Sequence, residues 1–197
     1  MDLKNLINQH FGKSIESKIA SVDKLTDAIA QAGQALTNTI FNGHKILMCG
    51  NGGSAADAQH FSAELVGRYK MERPPLAAIA LSTDTSILTA VGNDYGLNAV
   101  FEKQVQALGN QGDILFAIST SGNSSNVIQA IEAAHQKQMT VIMLTGKDGG
   151  KMHSLCQEQD IEICVPSDIT AHIQENHITI IHTLCEIIDT SLFGQEA

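Results

Sequence analysis

Five short, almost uninterrupted apolar runs, at 45–49, 77–81, 113–119, 140–145 and 160–165, punctuate this chain, and helix-patterned stretches separate them. A strand that is apolar on both faces must be covered on both, and parallel strands need crossovers about as long as a helix. The pattern predicts an α/β fold, a doubly wound parallel sheet of about five strands with helices on each side. Helices are expected at about 54–69, 84–91, 98–108 and 124–138. A last one should run from Pro166-Ser167-Asp168 to about residue 192, with Ser167 or Asp168 as its cap. Ahead of the first strand, Leu3, Ile7, Phe11 and Ile15, then Val22, Leu25, Ile29, Leu36 and Ile40 recur at helical spacing. They read as two extra N-terminal helices closed by Asn42-Gly43. The 197 residues read as a single domain, with helices over about 1–43 and a sheet core over about 44–197.

A formal net charge of -9 opposes general attraction to nucleic acid or to an anionic membrane surface, so an anionic ligand must be held by local groups. No stretch approaches the roughly 20 apolar residues that span a bilayer, and the first residues lack the pattern of a secretion signal. The cysteines Cys49, Cys156, Cys164 and Cys185 have no CxxC spacing and read as reduced thiols of a cytoplasmic protein.

Two loops carry the chemistry. In Cys49–Glu64 a strand stops at a glycine-rich turn, Gly50-Asn51-Gly52-Gly53, and a helix then carries His60 and Glu64 on one face. In Ser119-Thr120-Ser121-Gly122-Asn123-Ser124 four hydroxyls converge on a helix start without a Lys or Arg, a neutral anion nest suited to phosphate. Other phosphate motifs fit less well. Gly50–Ala55 can be read as GxGxxA, but no acidic residue closes a second strand about 20 positions on to bind a ribose, and Thr145–Lys151 lacks the Walker spacing.

The set CGNGGS, HFxAEL, STSGNS, LTGKDGG and QExHxxxIH resembles the phosphoheptose isomerases, single-domain members of the flavodoxin-like sugar isomerase (SIS) fold family. The resemblance runs from about residue 10 to residue 193. It implies an aldose-ketose isomerase that converts sedoheptulose 7-phosphate to D-glycero-D-manno-heptose 7-phosphate, the first step toward the heptose of lipopolysaccharide. It further implies a cytoplasmic homotetramer with active sites between subunits and one zinc ion per subunit, with neither nucleic acid nor membrane as partner. Carried over by position, Glu64 and His182 are the catalytic pair, and His60, Glu64, Gln174 and His182 the zinc ligands. Substrate contacts fall to Asn51, Gly52, Gly53, Glu64, Asn93, Asp94, Ser119, Thr120, Ser121, Ser124 and Gln174, with Asp57 and Arg68 as further pocket residues. A second relative of the same fold, a catalytically inactive adaptor of a replication initiator, lacks the glutamate and the late histidine that this chain keeps.

Moving a proton between neighbouring carbons through an enediol needs a carboxylate-type base, the role of Glu64, and a proton shuttle for the two oxygens, the role of His182. One spacing is awkward. Gln174 and His182 are eight residues apart, a rise of ~12 Å on a straight helix, whereas zinc ligands lie near 2 Å from the ion. His177, three residues after Gln174, is the substitute ligand by helical spacing. His10, His44, His135, His153 and His172 show no partner pattern and read as surface residues. Asn93-Asp94 reads as part of a glycine-flanked loop.

Overall fold

The computed structural model describes residues 1–194; the last three residues, assigned above to the same domain, lie outside the described residues. The strands are β1 (Ile46–Cys49), β2 (Ala78–Ala80), β3 (Ile114–Ile118), β4 (Thr140–Gly146) and β5 (Ile161–Val165). All pair in parallel in the order β2-β1-β3-β4-β5, so the chain reverses direction across the sheet between β1 and β3. Ligands of such sheets bind beyond the carboxyl ends of the strands at that reversal.

Alternation along the strands divides the core into two layers. Ile46, Met48, Ile114, Phe116, Ile118, Ile142 and Leu144 face one way. They pack on Leu25 and Leu36 of α1 (Leu3–Phe41), Phe61 and Leu65 of α2 (Gly53–Val66), and Ile173, Ile181 and Leu184 of α7 (Thr170–Phe193). Leu47, Cys49, Leu115, Ala117, Val141 and Met143 face the other way. Their partners include Val105 of α4 (Glu102–Leu108), Val127 and Ile131 of α5 (Ser125–Gln136) and Met152 of α6 (Gly150–His153). Helix α3 (Thr85–Tyr95) has no buried residue.

The N-terminal region is one helix of 39 residues, not two. The apolar rows change phase near residue 22 because the helix changes neighbours, not because it breaks. From Leu25 onward its apolar residues pack on the sheet and α7; before that it meets α7 through polar residues such as Ser14, Ser17 and Lys18, and Leu3, Leu6, Ile7, Phe11, Ile15, Ile19 and Val22 are each more than half exposed. Helix α7 starts after Ile169 with no side-chain cap, one or two residues past the expected Ser167 or Asp168. Among the described residues all four cysteines are free; Cys49 and Cys185 are buried, and burial pushes the Cys49 thiol up to about 12. Cys156, by contrast, is exposed.

Candidate active site

At the reversal point two helix N-termini look into one crevice. Neither α2, after the Gly50–Gly52 turn, nor α5, after Ser119–Ser124, is capped by a side chain. The Ser124 hydroxyl instead lies 2.9 Å from that of Ser119. Uncapped N-H groups and the positive dipole ends therefore remain available to an anion. The Asn51 and Asn126 amides exchange hydrogen bonds of 2.8 and 2.9 Å, which fixes the first loop to the second helix. The serine loop is braced from behind. The Met152 N-H donates to the Gly122 carbonyl at 2.9 Å, and the Lys151 N-H to Asn123 Oδ1 at 3.1 Å. Gly122 has φ +63°, and a β-carbon there would overlap the Gly149 carbonyl. The lysine-containing loop after β4 is thus a brace for the nest.

Farther along α2, its His60 meets His182 of α7 with the two Nε2 atoms 2.9 Å apart, and Glu64 Oε1 is 3.3 Å from His60 Nε2. Imidazole nitrogens this close share either a proton or a cation. Two imidazoles and a carboxylate are a donor set that zinc accepts, so these residues fit the implied ion. The Tyr69 ring stacks on His182 with centroids 5.7 Å apart. Asp57, one turn before His60, is half-buried, and its Oδ2 has no hydrogen-bond partner among the described residues. Burial pushes its carboxyl up to about 6, with the charge of His60 opposing.

Gln174 sits elsewhere. Its amide lies against Gly53, where a β-carbon would overlap it, so the missing side chain at Gly53 admits Gln174 to the start of α2. Helices α2 and α7 pack together, Gln174 meeting the first residue of α2 and His182 its middle. The expected zinc ligands accordingly fall into two places: His60, which meets both Glu64 and His182, and Gln174 at the crevice, two helical turns along α7.

His177 is no substitute ligand. It is fully buried, and its Nε2-H donates to the Thr145 carbonyl at 2.9 Å, tying α7 to β4. Burial holds it well below its ordinary value, at about 4. Asn93 and Asp94 belong to the last turn of α3, not to a loop; both are exposed, and Asn93 Nδ2 donates to Asp94 Oδ1 at 2.8 Å. Arg68 is exposed and pairs with Glu72.

The SIS domain family matches residues 10–146. The phosphoheptose isomerase of Dechloromonas aromatica is 56% identical over 196 residues, with 100% of each chain covered. That of a Shewanella species is 57% identical over 190 residues, 96% of each. This chain belongs to the phosphoheptose isomerase family. A solved phosphoheptose isomerase from Francisella tularensis superposes with a TM-score of 0.94 at 50% identity, covering 96% of this chain and 100% of that one. The enzyme from Neisseria gonorrhoeae gives 0.91 at 52% identity, covering 95% and 99%. The family thus confirms both the SIS fold and the class, an aldose-ketose isomerase, and gives the adaptor alternative no support.

Three neighbours of the candidate site had no signal in the sequence: Tyr69 against His182, Asn126 against Asn51, and Arg73 beneath Glu64. The Arg73 side chain is 1% exposed; its Nε donates to Asp189 Oδ1 at 2.9 Å, and its terminal nitrogens donate to the Glu64 and Leu65 carbonyls at 2.7 Å. In the sequence it is the first residue of an Arg-Pro-Pro break, and a polar break ordinarily means surface.

Proposed function

We propose that the chain interconverts sedoheptulose 7-phosphate and D-glycero-D-manno-heptose 7-phosphate, opening the route to the heptose of lipopolysaccharide, with Glu64 as base and His182 as proton shuttle. The observation that carries this reading is that His60 meets both Glu64 and His182 along α2, a helix whose preceding turn is tied through Asn51 and Asn126 to the helix that opens at the neutral phosphate nest. Ser119, Thr120, Ser121 and Ser124, with the α5 N-terminus, hold the 7-phosphate; Asn51, Gly52 and Gly53 line the other wall of the crevice. The Glu64 carboxylate takes the proton from C1 of the ketose and returns it to C2, giving the aldose. His182 moves the hydroxyl proton between O1 and O2 across the enediol. Its ring is held for this by His60 on one side and Tyr69 on the other. Zinc held by His60, Glu64 and His182 would provide Lewis-acid polarisation of the carbonyl.

The working unit in this reading is a cytoplasmic homotetramer with sites between subunits. The uncovered apolar row on α1 follows an i+4 ridge, the surface that packs into the groove of another helix. Asn93 and Asp94 stand on a helix with no fully buried residue, held to its own core only through the partly buried Leu88 and Val91. Light scattering should give four chains per particle, and a monomer at assay concentration would overturn the assembly.

The decisive experiment follows sedoheptulose 7-phosphate by NMR with wild type and Glu64→Gln, each with and without zinc. Turnover that falls at least ~10²-fold in the variant, the usual contribution of a general base, supports the assignment. Well-folded, zinc-loaded wild type with no turnover overturns it.

A further inference from the structure

Histidines 10 and 172, which the sequence places on the surface without partners, meet each other in the fold. His172, in the first turn of α7, is 2% exposed, and His10 projects from α1 over it with ring centroids 4.9 Å apart. Glu175, one turn along α7, completes a group in which one ligand atom from each residue lies within 4.8 Å of the other two. Among the described residues no other three His, Cys, Asp or Glu side chains come together so closely.

The separations suit a shared ion. His172 Nδ1 is 3.4 Å from Glu175 Oε2 and His10 Nε2 is 3.7 Å from Glu175 Oε1. The first is a long hydrogen bond and the second lies beyond hydrogen-bonding distance, the ordinary range ending at about 3.2 Å. Ligands about 2.0–2.1 Å from a tetrahedral ion stand roughly 3.3–3.5 Å from one another, close to these values. The rings are tilted by 46°, not stacked, so their nitrogens can converge on one point.

The surroundings orient the donors as a metal site requires. The Ser14 hydroxyl donates to Glu175 Oε2, and Lys18 Nζ donates to the Glu175 carbonyl at 2.9 Å, which locks this residue to α1 from two positions. Asn176 Nδ2 donates to the His172 carbonyl at 2.7 Å and to Ser17 Oγ at 3.0 Å, securing the same turn. His10 is half-exposed, which leaves an entry path and room for water as a fourth ligand. Lys13, which lines the neighbouring cavity, and Lys18, beside Glu175, are opposing cations that limit affinity without blocking the donors.

We propose that His10, His172 and Glu175 form a second metal site, separate from the His60–His182 pair, that takes a divalent ion of the zinc class and clamps α1 to the start of α7. Two imidazoles and one carboxylate suit zinc, cobalt or nickel and not magnesium or calcium, which favour all-oxygen ligands. The clamp would lie on either side of Gln174 and fix the turn that presents its amide to Gly53.

The test is a Co(II) titration of the full-length, chelator-stripped protein, followed by calorimetry and by the visible absorption of tetrahedral cobalt, with wild type and His10→Ala compared. His10 is half-exposed, so its truncation leaves the fold intact, and circular dichroism checks this. Wild type should bind one equivalent per chain more than His10→Ala, or bind its second equivalent at least ~100-fold more tightly. A His182→Ala variant, which disables the other site, should keep the cobalt band, and His10→Ala added to it should abolish that band. Equal stoichiometry and affinity in wild type and His10→Ala, or a band in His182→Ala that survives the loss of His10, overturns the proposal. Both readouts are binding measurements and stand whether or not the chain turns over heptose phosphate.

Discussion

Arg73→Ala should be among the most damaging substitutions outside the candidate site. The guanidinium is enclosed between α2 and α7, where it donates to one oxygen of the Asp189 carboxylate, to the Glu64 and Leu65 carbonyls at 2.7 Å, and to the Pro74 and Gly67 carbonyls at 3.2 and 3.3 Å. It caps the negative end of the α2 dipole while tying that end to α7. Truncation leaves Asp189, 6% exposed at its side chain and already with one oxygen unpartnered among the described residues, as a buried charge without a counter-ion. Breaking a buried pair from one side costs about 3–5 kcal/mol. For a chain of this length each kcal/mol lowers the midpoint by about 2–4 °C, so the expected loss is roughly 6–20 °C. Urea denaturation at one fixed protein concentration is the assay, because any assembly would make stability concentration-dependent. Replacing both partners, Arg73→Met with Asp189→Leu, should restore most of the stability, since a buried pair and a well-packed apolar pair are often nearly equivalent. It should not restore turnover, because the backbone of Glu64 has still lost its anchor. A loss below about 1 kcal/mol in Arg73→Ala, the range of an exposed pair, would refute this reasoning.

Two further outcomes follow from the geometry. His177 is held neutral, with a folded value of about 4 against an ordinary 6.5, so between those values the unfolded chain binds more protons and stability rises with pH. The stabilising contribution is complete above pH 6.5 and about 3 kcal/mol of it is lost by pH 4. Asp57, raised to about 6, titrates with the opposite sign, so the comparison to make is wild type against His177→Gln, in which Asp57 cancels; equal pH slopes in urea denaturation would rule the account out. Gly53→Ala should displace the Gln174 amide and cut kcat/KM by at least ~10-fold, as small displacements in a positioned site do, with the melting midpoint little changed; full activity would mean that Gln174 need not lie against α2.

Much of the architecture was legible because it rests on local rules. Continuous apolar runs of strand length required a parallel sheet covered on both sides, and the turns after β1 and β3 had to emerge at its carboxyl edge. The pairing of His60 with Glu64 followed from helical spacing alone. The single N-terminal helix reads as two in the sequence because periodicity records what a helix faces: the apolar side of α1 leaves the core at about residue 22, and the shifted phase looks like a break. Asn93-Asp94 was misjudged because turn-forming residues are also tolerated in the last turn of a helix.

Whatever depends on two distant segments meeting was decided by tertiary structure. Sequence alone determined that a phosphate nest and a histidine-glutamate face exist, because each needs only a few consecutive residues with fixed backbone geometry. It could not show that His182 reaches His60, that Gln174 docks on Gly53, that His177 is buried on Thr145, or that Arg73 lies under Glu64. Each of these is set by how α7 lies along α2 and the sheet, and that placement is fixed by the packing of Ile173, Ile181 and Leu184 against the strands, not by the polar residues themselves. The meeting of His10 with His172 and Glu175 has the same origin. It joins residues more than 160 positions apart, at a crossing of two helices whose separate patterns contain no sign of each other.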